Sequence, residues 1–114
     1  MNNKSPITTH VLDVSIGKPA TKVNYSLEYL SENKWNSISL GATDHDGRVR
    51  DLCTSPIKEG TYRITFQTND YFKAKGLKCF YPSVQIVFEI TNRDEHYHVP
   101  LLLSPYGFST YRGS

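Results

Sequence analysis

From His96 to Leu103 the chain reads His-Tyr-His-Val-Pro-Leu-Leu-Leu, a run that is apolar on both faces when set at the two-residue period of a strand. Tyr97, Val99, Leu101 and Leu103 share one side and form a plain core face. His96, His98, Pro100 and Leu102 share the other, which begins with two imidazoles and carries a proline that a central strand rarely accepts. A Ser-Pro-Tyr-Gly turn follows, then a short run over residues 108–111, and the sequence closes on Arg112-Gly113-Ser114. Antiparallel pairing across that turn brings the closing residues beside the histidines. A sandwich strand needs one buried face, so Pro100 and Leu102 are expected to form an open patch that a second copy of the chain covers. His10 and His98 would then stand in a channel between copies.

The preceding sequence supplies the other strands. Residues 7–15 alternate, with His10, Leu12 and Val14 on one side and Thr9, Val11 and Asp13 on the other. Residues 23–30 align Val23, Tyr25, Leu27 and Tyr29; Ser31-Glu32-Asn33-Lys34 reads as a hairpin turn into residues 35–40. Residues 41–48 read as a polar loop with an Asp46-Gly47 turn. Tyr62, Ile64 and Phe66 alternate with polar residues, and Val84, Ile86, Phe88 and Ile90 line one face of a later strand. One short helix is predicted around Tyr71 to Lys75, capped by Asn69 or Asp70 and ended by Gly76. Strands at this spacing, joined by turns, predict an all-β sandwich. At 114 residues, residues 1–114 are expected to form a single domain.

Composition narrows the function classes. A net charge of +2 is too slight and too evenly spread to indicate nucleic acid or an anionic membrane as partner. No apolar run approaches membrane-spanning length. The start lacks a signal-peptide core and the end lacks a Ser-Lys-Leu address, so a cytoplasmic location is expected. Cys53 and Cys79 make neither a disulfide framework nor a metal knuckle and are expected as reduced thiols.

Taken alone, the histidines point weakly to chemistry. His96 and His98 on one strand face, with His10 as a third, match a spacing that zinc enzymes use, yet no cysteine or carboxylate motif reinforces it. Asp44-His45-Asp46-Gly47 opens like a calcium loop but fails at its later positions, Arg48 and Ser55. No Gly-x-Ser-x-Gly elbow marks a nucleophilic serine. Arg50, Arg63 and Arg93 read as solvated, and Trp35 and the Tyr71-Phe72 pair as packing.

Several segments in order carry a resemblance. They are Thr9-His10-Val11-Leu12-Asp13 with Gly17-Lys18-Pro19-Ala20, Thr43-Asp44 with Asp46-Gly47-Arg48, Asp70-Tyr71-Phe72, the stretch from His96 to Ser104, and Tyr111-Arg112-Gly113-Ser114. Together they resemble the transthyretin-like family over nearly the whole chain. The closing Tyr-Arg-Gly-Ser resembles its enzymatic branch, the 5-hydroxyisourate hydrolases of urate breakdown. The family's hormone carrier lacks that ending and has lysine, glutamate and threonine where this chain has His10, Arg48 and His98.

The resemblance implies a sandwich of two four-stranded sheets with one short helix, assembled as a homotetramer (a dimer of dimers) with active sites in a central channel. It implies hydrolytic opening of a cyclic amide in 5-hydroxyisourate, giving 2-oxo-4-hydroxy-4-carboxy-5-ureidoimidazoline, without metal or organic cofactor. His10, Arg48 and His98 match the family's catalytic positions, and Tyr111 and Ser114 its substrate-binding ones. The residue types suit such a reaction, since a neutral imidazole can take a proton from water and a guanidinium offers a planar donor fork to a carbonyl-rich ring. A small-ligand carrier using the same channel is the competing expectation.

Overall fold

The computed structural model describes residues 5–54 and 56–113. Its elements are nine strands and one helix: β1 (Ile7–Asp13), β2 (Lys18–Pro19), β3 (Asn24–Ser31), β4 (Lys34–Ala42), β5 (Arg48–Val49), β6 (Gly60–Phe66), α1 (Thr68–Ala74), β7 (Val84–Ile90), β8 (Tyr97–Ser104) and β9 (Gly107–Thr110). One sheet runs β4-β3-β6-β7; the other runs β2-β1-β8-β9, with β5 also paired to β1. The two-residue strands β2 and β5 occupy successive stretches of the same edge of β1, at Leu12–Asp13 and Thr9–His10. That sheet is therefore four strands across although five segments build it, and the molecule is the expected sandwich of two sheets with one short helix.

The alternation in the sequence sets which side chains enter the core. Ile7, Thr9, Val11 and Asp13 of β1 point inward, as do Tyr97, Val99, Leu101 and Leu103 of β8. They meet Tyr25, Leu27, Tyr62, Ile64, Phe66, Val84, Ile86 and Ile90 of the other sheet in one apolar cluster. Fully burying each such aliphatic or aromatic side chain contributes about 1.5–3 kcal/mol relative to exposure, so this face dictates the register. Asp13, 1% exposed, is accommodated because its carboxylate accepts hydrogen bonds from the Tyr71 hydroxyl and the Ser15 amide (2.8 and 3.0 Å). The bond from Tyr71 fastens α1 to the end of β1.

The hairpin turn expected at residues 31–34 forms: Glu32 and Asn33 both adopt positive φ (53° and 62°), as a tight two-residue hairpin demands, and Ser31 pairs with Lys34 across it. Two other details depart from the sequence reading. The helix begins at Thr68 with Gln67 as N-cap and no side-chain cap, because β6 runs to Phe66 and leaves no linker. Asn69 and Asp70 lie inside its first turn instead, Asp70 still favourably placed against the helix dipole. Arg63 is not solvated: it lies opposite Glu28 in the β3–β6 ladder, pairs with it at 2.7 Å, and sits 4.3 Å over the Trp35 ring.

The expected apolar patch is also smaller. Pro100 is buried and Leu102 half-buried in the chain itself, because β8 is an interior strand flanked by β1 and β9. The proline is tolerated there for a specific reason. It falls between the Leu101–Thr110 pair and the isolated His98–Gly113 bridge, where the ladder is interrupted and no amide proton is required.

Candidate active site

The odd-numbered residues of β1 go to the core, so the even-numbered ones, Thr8, His10 and Leu12, stand on the outer face of the sheet. There the parallel β1–β8 register sets Thr8 opposite His98 and His10 opposite Pro100. On the other edge of β1, His10 is opposite Arg48 of β5. Three strands far apart in sequence thus bring residues 10, 48 and 98 onto one surface.

The turn before β5 places Arg48. The Asp44 carboxylate accepts from the Asp46 and Arg48 amides (2.8 and 3.0 Å), and the Gly47 amide donates to the Asp44 carbonyl at 2.9 Å. The Arg48 amide holds the Asp44 carboxyl below the usual carboxylate range, which keeps this acceptor ionised. Val11 of β1 then donates its amide to the Gly47 carbonyl at 2.7 Å, stitching the turn to the strand that carries His10. Asp44, His45 and Asp46 bring three ligand atoms together, but Arg50 already pairs with both carboxylates (3.3 and 3.4 Å) and supplies the positive charge there.

His10 is half-buried and its Nε2 lies 2.9 Å from the Asp46 carbonyl. A carbonyl only accepts, so Nε2 carries the proton and Nδ1 is the lone-pair nitrogen of the neutral ring. Burial first, and the Arg48 guanidinium second, hold His10 below the ordinary imidazole value despite that carbonyl and the nearby carboxylates.

His98 is also half-buried, with Nδ1 2.8 Å from the Thr8 hydroxyl. Burial, then His96, Arg48 and His10, lower its pKa. Both rings are therefore neutral near neutrality, the state a proton acceptor needs.

The closing residues reach this ring as the sequence suggested. The Gly113 amide donates to the His98 carbonyl at 2.8 Å, and a Cβ at Gly113 would come within 2.5 Å of His98 Cδ2, so glycine permits the close approach. Arg112 holds the segment down by pairing with Glu95 at 2.9 Å and lying 4.4 Å over the Tyr97 ring. Ser114 lies outside the described residues.

A depression of about 390 Å³ is lined by Ser5, Thr8, Arg48, Val49, His96 and His98, among others. His10 borders it through its strand partner Arg48 and does not line it. Tyr111 stands elsewhere: it is 58% exposed and lines a separate groove with Val87, Phe88 and Tyr97. Arg50, Arg63 and Arg112 each pair with a carboxylate, whereas the Arg48 guanidinium pairs with none among the described residues. It is left to meet an incoming anion or carbonyl.

Thr8 was missed by sequence reasoning. The strand period that put His10 on the outer face put Thr8 there too, and that was the available signal.

Known proteins resemble this chain in sequence and in fold. The family model described as HIUase/Transthyretin family matches residues 7–113. The 5-hydroxyisourate hydrolase of Mus musculus is 46% identical over 113 residues, 96% of this chain and 96% of that protein. Among solved structures, the 5-hydroxyisourate hydrolase of Klebsiella pneumoniae aligns with a TM-score of 0.85 at 35% identity, covering 95% of this chain and 97% of the other. Sea bream transthyretin in complex with thyroxine aligns with a TM-score of 0.91 at 29% identity, covering 96% and 95%.

Proposed function

The chain belongs to the HIUase/Transthyretin family, and from that membership we propose that it is a hydrolase of 5-hydroxyisourate acting in urate degradation. The product is 2-oxo-4-hydroxy-4-carboxy-5-ureidoimidazoline. The observation that carries this reading is the meeting of His10, Arg48 and His98 on the outer face of one sheet, with Arg48 free of any carboxylate among the described residues.

The chemistry fits those groups. A neutral histidine takes a proton from water as its oxygen bonds to the ring carbonyl carbon. Arg48 presents its fork to the oxygen that gains charge. The carbon–nitrogen bond then breaks, and the departing nitrogen receives a proton from the imidazolium. Ser114 and Tyr111 are assigned to positioning the substrate. Support for Ser114 is the adjacent Gly113, tied to the His98 carbonyl. Tyr111 faces a different groove in the single chain, so its contact with substrate requires the assembled channel.

The backbone does not choose between enzyme and carrier, since it superposes on a transthyretin as well as on a hydrolase. The side chains favour hydrolysis, because a carrier has no use for two neutral imidazoles beside an unpaired guanidinium. The test is the decay of freshly generated 5-hydroxyisourate followed spectroscopically. Decay accelerated by the protein is expected; decay at the spontaneous rate, with the ring merely bound, would indicate the carrier.

The pH dependence carries a sign. Since His10 and His98 both lie below the ordinary value of 6.5, the base form persists as pH falls past it. Activity disappears only as pH drops through the lowered values, so the acid limb of kcat/KM has its midpoint below 6.5. A midpoint above that value would remove both rings from the role of base.

The working form is a homotetramer, a dimer of dimers, whose channel is walled by the β1–β8 face. Sedimentation is expected to give the mass of four chains. A fully active monomer would contradict the shared channel.

A further inference from the structure

Thr8 Oγ1 lies 2.8 Å from His98 Nδ1 and 2.8 Å from His96 Nε2. A hydroxyl has one proton, so when it bridges two neutral rings it donates to one and accepts from the other. The two rings are then locked in opposite roles. If His98 Nδ1 donates, His96 Nε2 accepts; if His96 donates, His98 Nδ1 accepts and its proton must sit on Nε2.

From this bridge we infer that Thr8 and His96 are positioning residues that fix the tautomer of His98. His98 donates Nδ1–H to Thr8, Thr8 donates to His96 Nε2, and His98 Nε2 is left as the nitrogen that takes the proton from water. The last step rests on the hydrolase reading; the tautomer does not.

Three features hold the bridge in place. The β1–β8 register sets Thr8 directly opposite His98, so the hydroxyl is delivered by the sheet and not by a mobile loop. His96 and His98 are two residues apart and project from the same side of the chain. Gly113 leaves too little room for a Cβ beside Cδ2 of His98, so the closing segment lies against the ring edge away from Thr8, while the hydrogen bond to Thr8 sets which edge carries Nδ1.

The direction of the bridge follows from its surroundings. His96 is exposed, and water satisfies its outer nitrogen in either tautomer. His98 shares its depression with Arg48, and the guanidinium and His10 both disfavour added positive charge on the ring. The same field favours a lone pair over an N–H on the free edge of His98. When Nε2 takes the proton of the attacking water, Nδ1–H stays on Thr8, and the new proton passes to the departing ring nitrogen as the carbon–nitrogen bond breaks.

The experiment combines nitrogen spectroscopy with kinetics on the whole protein. Long-range ¹⁵N–¹H correlation at about pH 8, above the ordinary histidine range, reports which ring nitrogen of His98 is protonated. The wild type is expected to show Nδ1–H, and Thr8→Val a mixture shifted towards Nε2–H. Thr8→Val should lower kcat by about 10- to 100-fold, as a wrong tautomer does, with KM changed by no more than about twofold. Thr8→Ser should restore most of the loss. At the exposed His96, Gln can accept the Thr8 proton and should keep the Nδ1–H form of His98. Lys can only donate, and should drive His98 to Nε2–H and lower kcat. An Nε2–H His98 in the active wild type, or an unchanged tautomer in both Thr8→Val and His96→Lys, would overturn the inference. The spectra need no substrate: an Nδ1–H His98 in a protein without turnover would support the bridge and refute the hydrolase reading alone.

Discussion

Replacing His98 by asparagine is expected to lower kcat on 5-hydroxyisourate by about 10²- to 10⁴-fold, the usual contribution of a positioned proton acceptor. Asparagine is the informative choice because its amide can still meet the Thr8 hydroxyl, which the imidazole contacts at 2.8 Å. The sheet register keeps that bond available while the second ring nitrogen is removed. His98 lies on the outer face and contributes nothing to the apolar cluster, so unfolding free energy should change by no more than about 1 kcal/mol. Turnover within about threefold of the wild type, in a protein that melts normally, would take His98 out of the mechanism.

The second large effect is expected at Gly47, which does not line the depression shared by Arg48 and His98. It sits at φ +74°, and a Cβ there would drive into the Val11 carbonyl oxygen while also crowding Pro19 Cβ at 3.1 Å and the Ala20 amide at 3.3 Å. Two of these three neighbours are backbone atoms of paired segments and cannot swing aside. Gly47→Ala should therefore cost on the order of 2–4 kcal/mol in chemical denaturation, combining positive-φ strain with steric displacement. It should also depress kcat in the fraction that remains folded. The Gly47 carbonyl accepts from Val11, so any shift of the turn carries Arg48 and the Asp46 carbonyl away from His10. Gly17 is the control, with φ +66° but nothing within 4 Å of a built Cβ. Gly17→Ala should cost about 1 kcal/mol and leave turnover unchanged. Equal losses at both positions would mean that backbone conformation alone, and not the approach to β1, sets the effect.

That contrast explains what the sequence could and could not disclose. Alternation in residues 7–13, 84–90 and 97–103 was legible because burial of every second side chain is a local pattern, and the buried faces fall where the pattern puts them. The return of Gly113 to His98 was legible too, since a short turn between β8 and β9 forces antiparallel register.

The pairing of β1 with β8 was not legible. Parallel neighbours separated by most of the chain leave no periodic trace, and the meeting of His10 with Arg48 depends on a turn secured by Val11 and the Asp44 carboxylate. Only the resemblance of the motifs joined residues 10, 48 and 98 before the fold did. Thr8 escaped attention for the same reason: its importance lies in facing His98 across a strand boundary, not in its neighbours along the chain.

The helix start was hidden as well, because β6 runs almost directly into α1, so tertiary pairing, not a side-chain oxygen, starts the helix. Tyr111 shows a further limit. The resemblance implies a substrate-binding role for it, while in the single chain it lines the groove of Phe88 and Tyr97.

The most direct test is a crystal structure of the assembled protein with a stable cyclic ureide of the urate type bound. The ring is expected in the depression lined by Thr8, Arg48 and His98, with one carbonyl oxygen within hydrogen-bonding distance of the Arg48 guanidinium and His98 Nε2 facing the ring. A ring held instead against Phe88 and Tyr111, with His10, Arg48 and His98 untouched, would contradict the site on which the proposed hydrolysis depends.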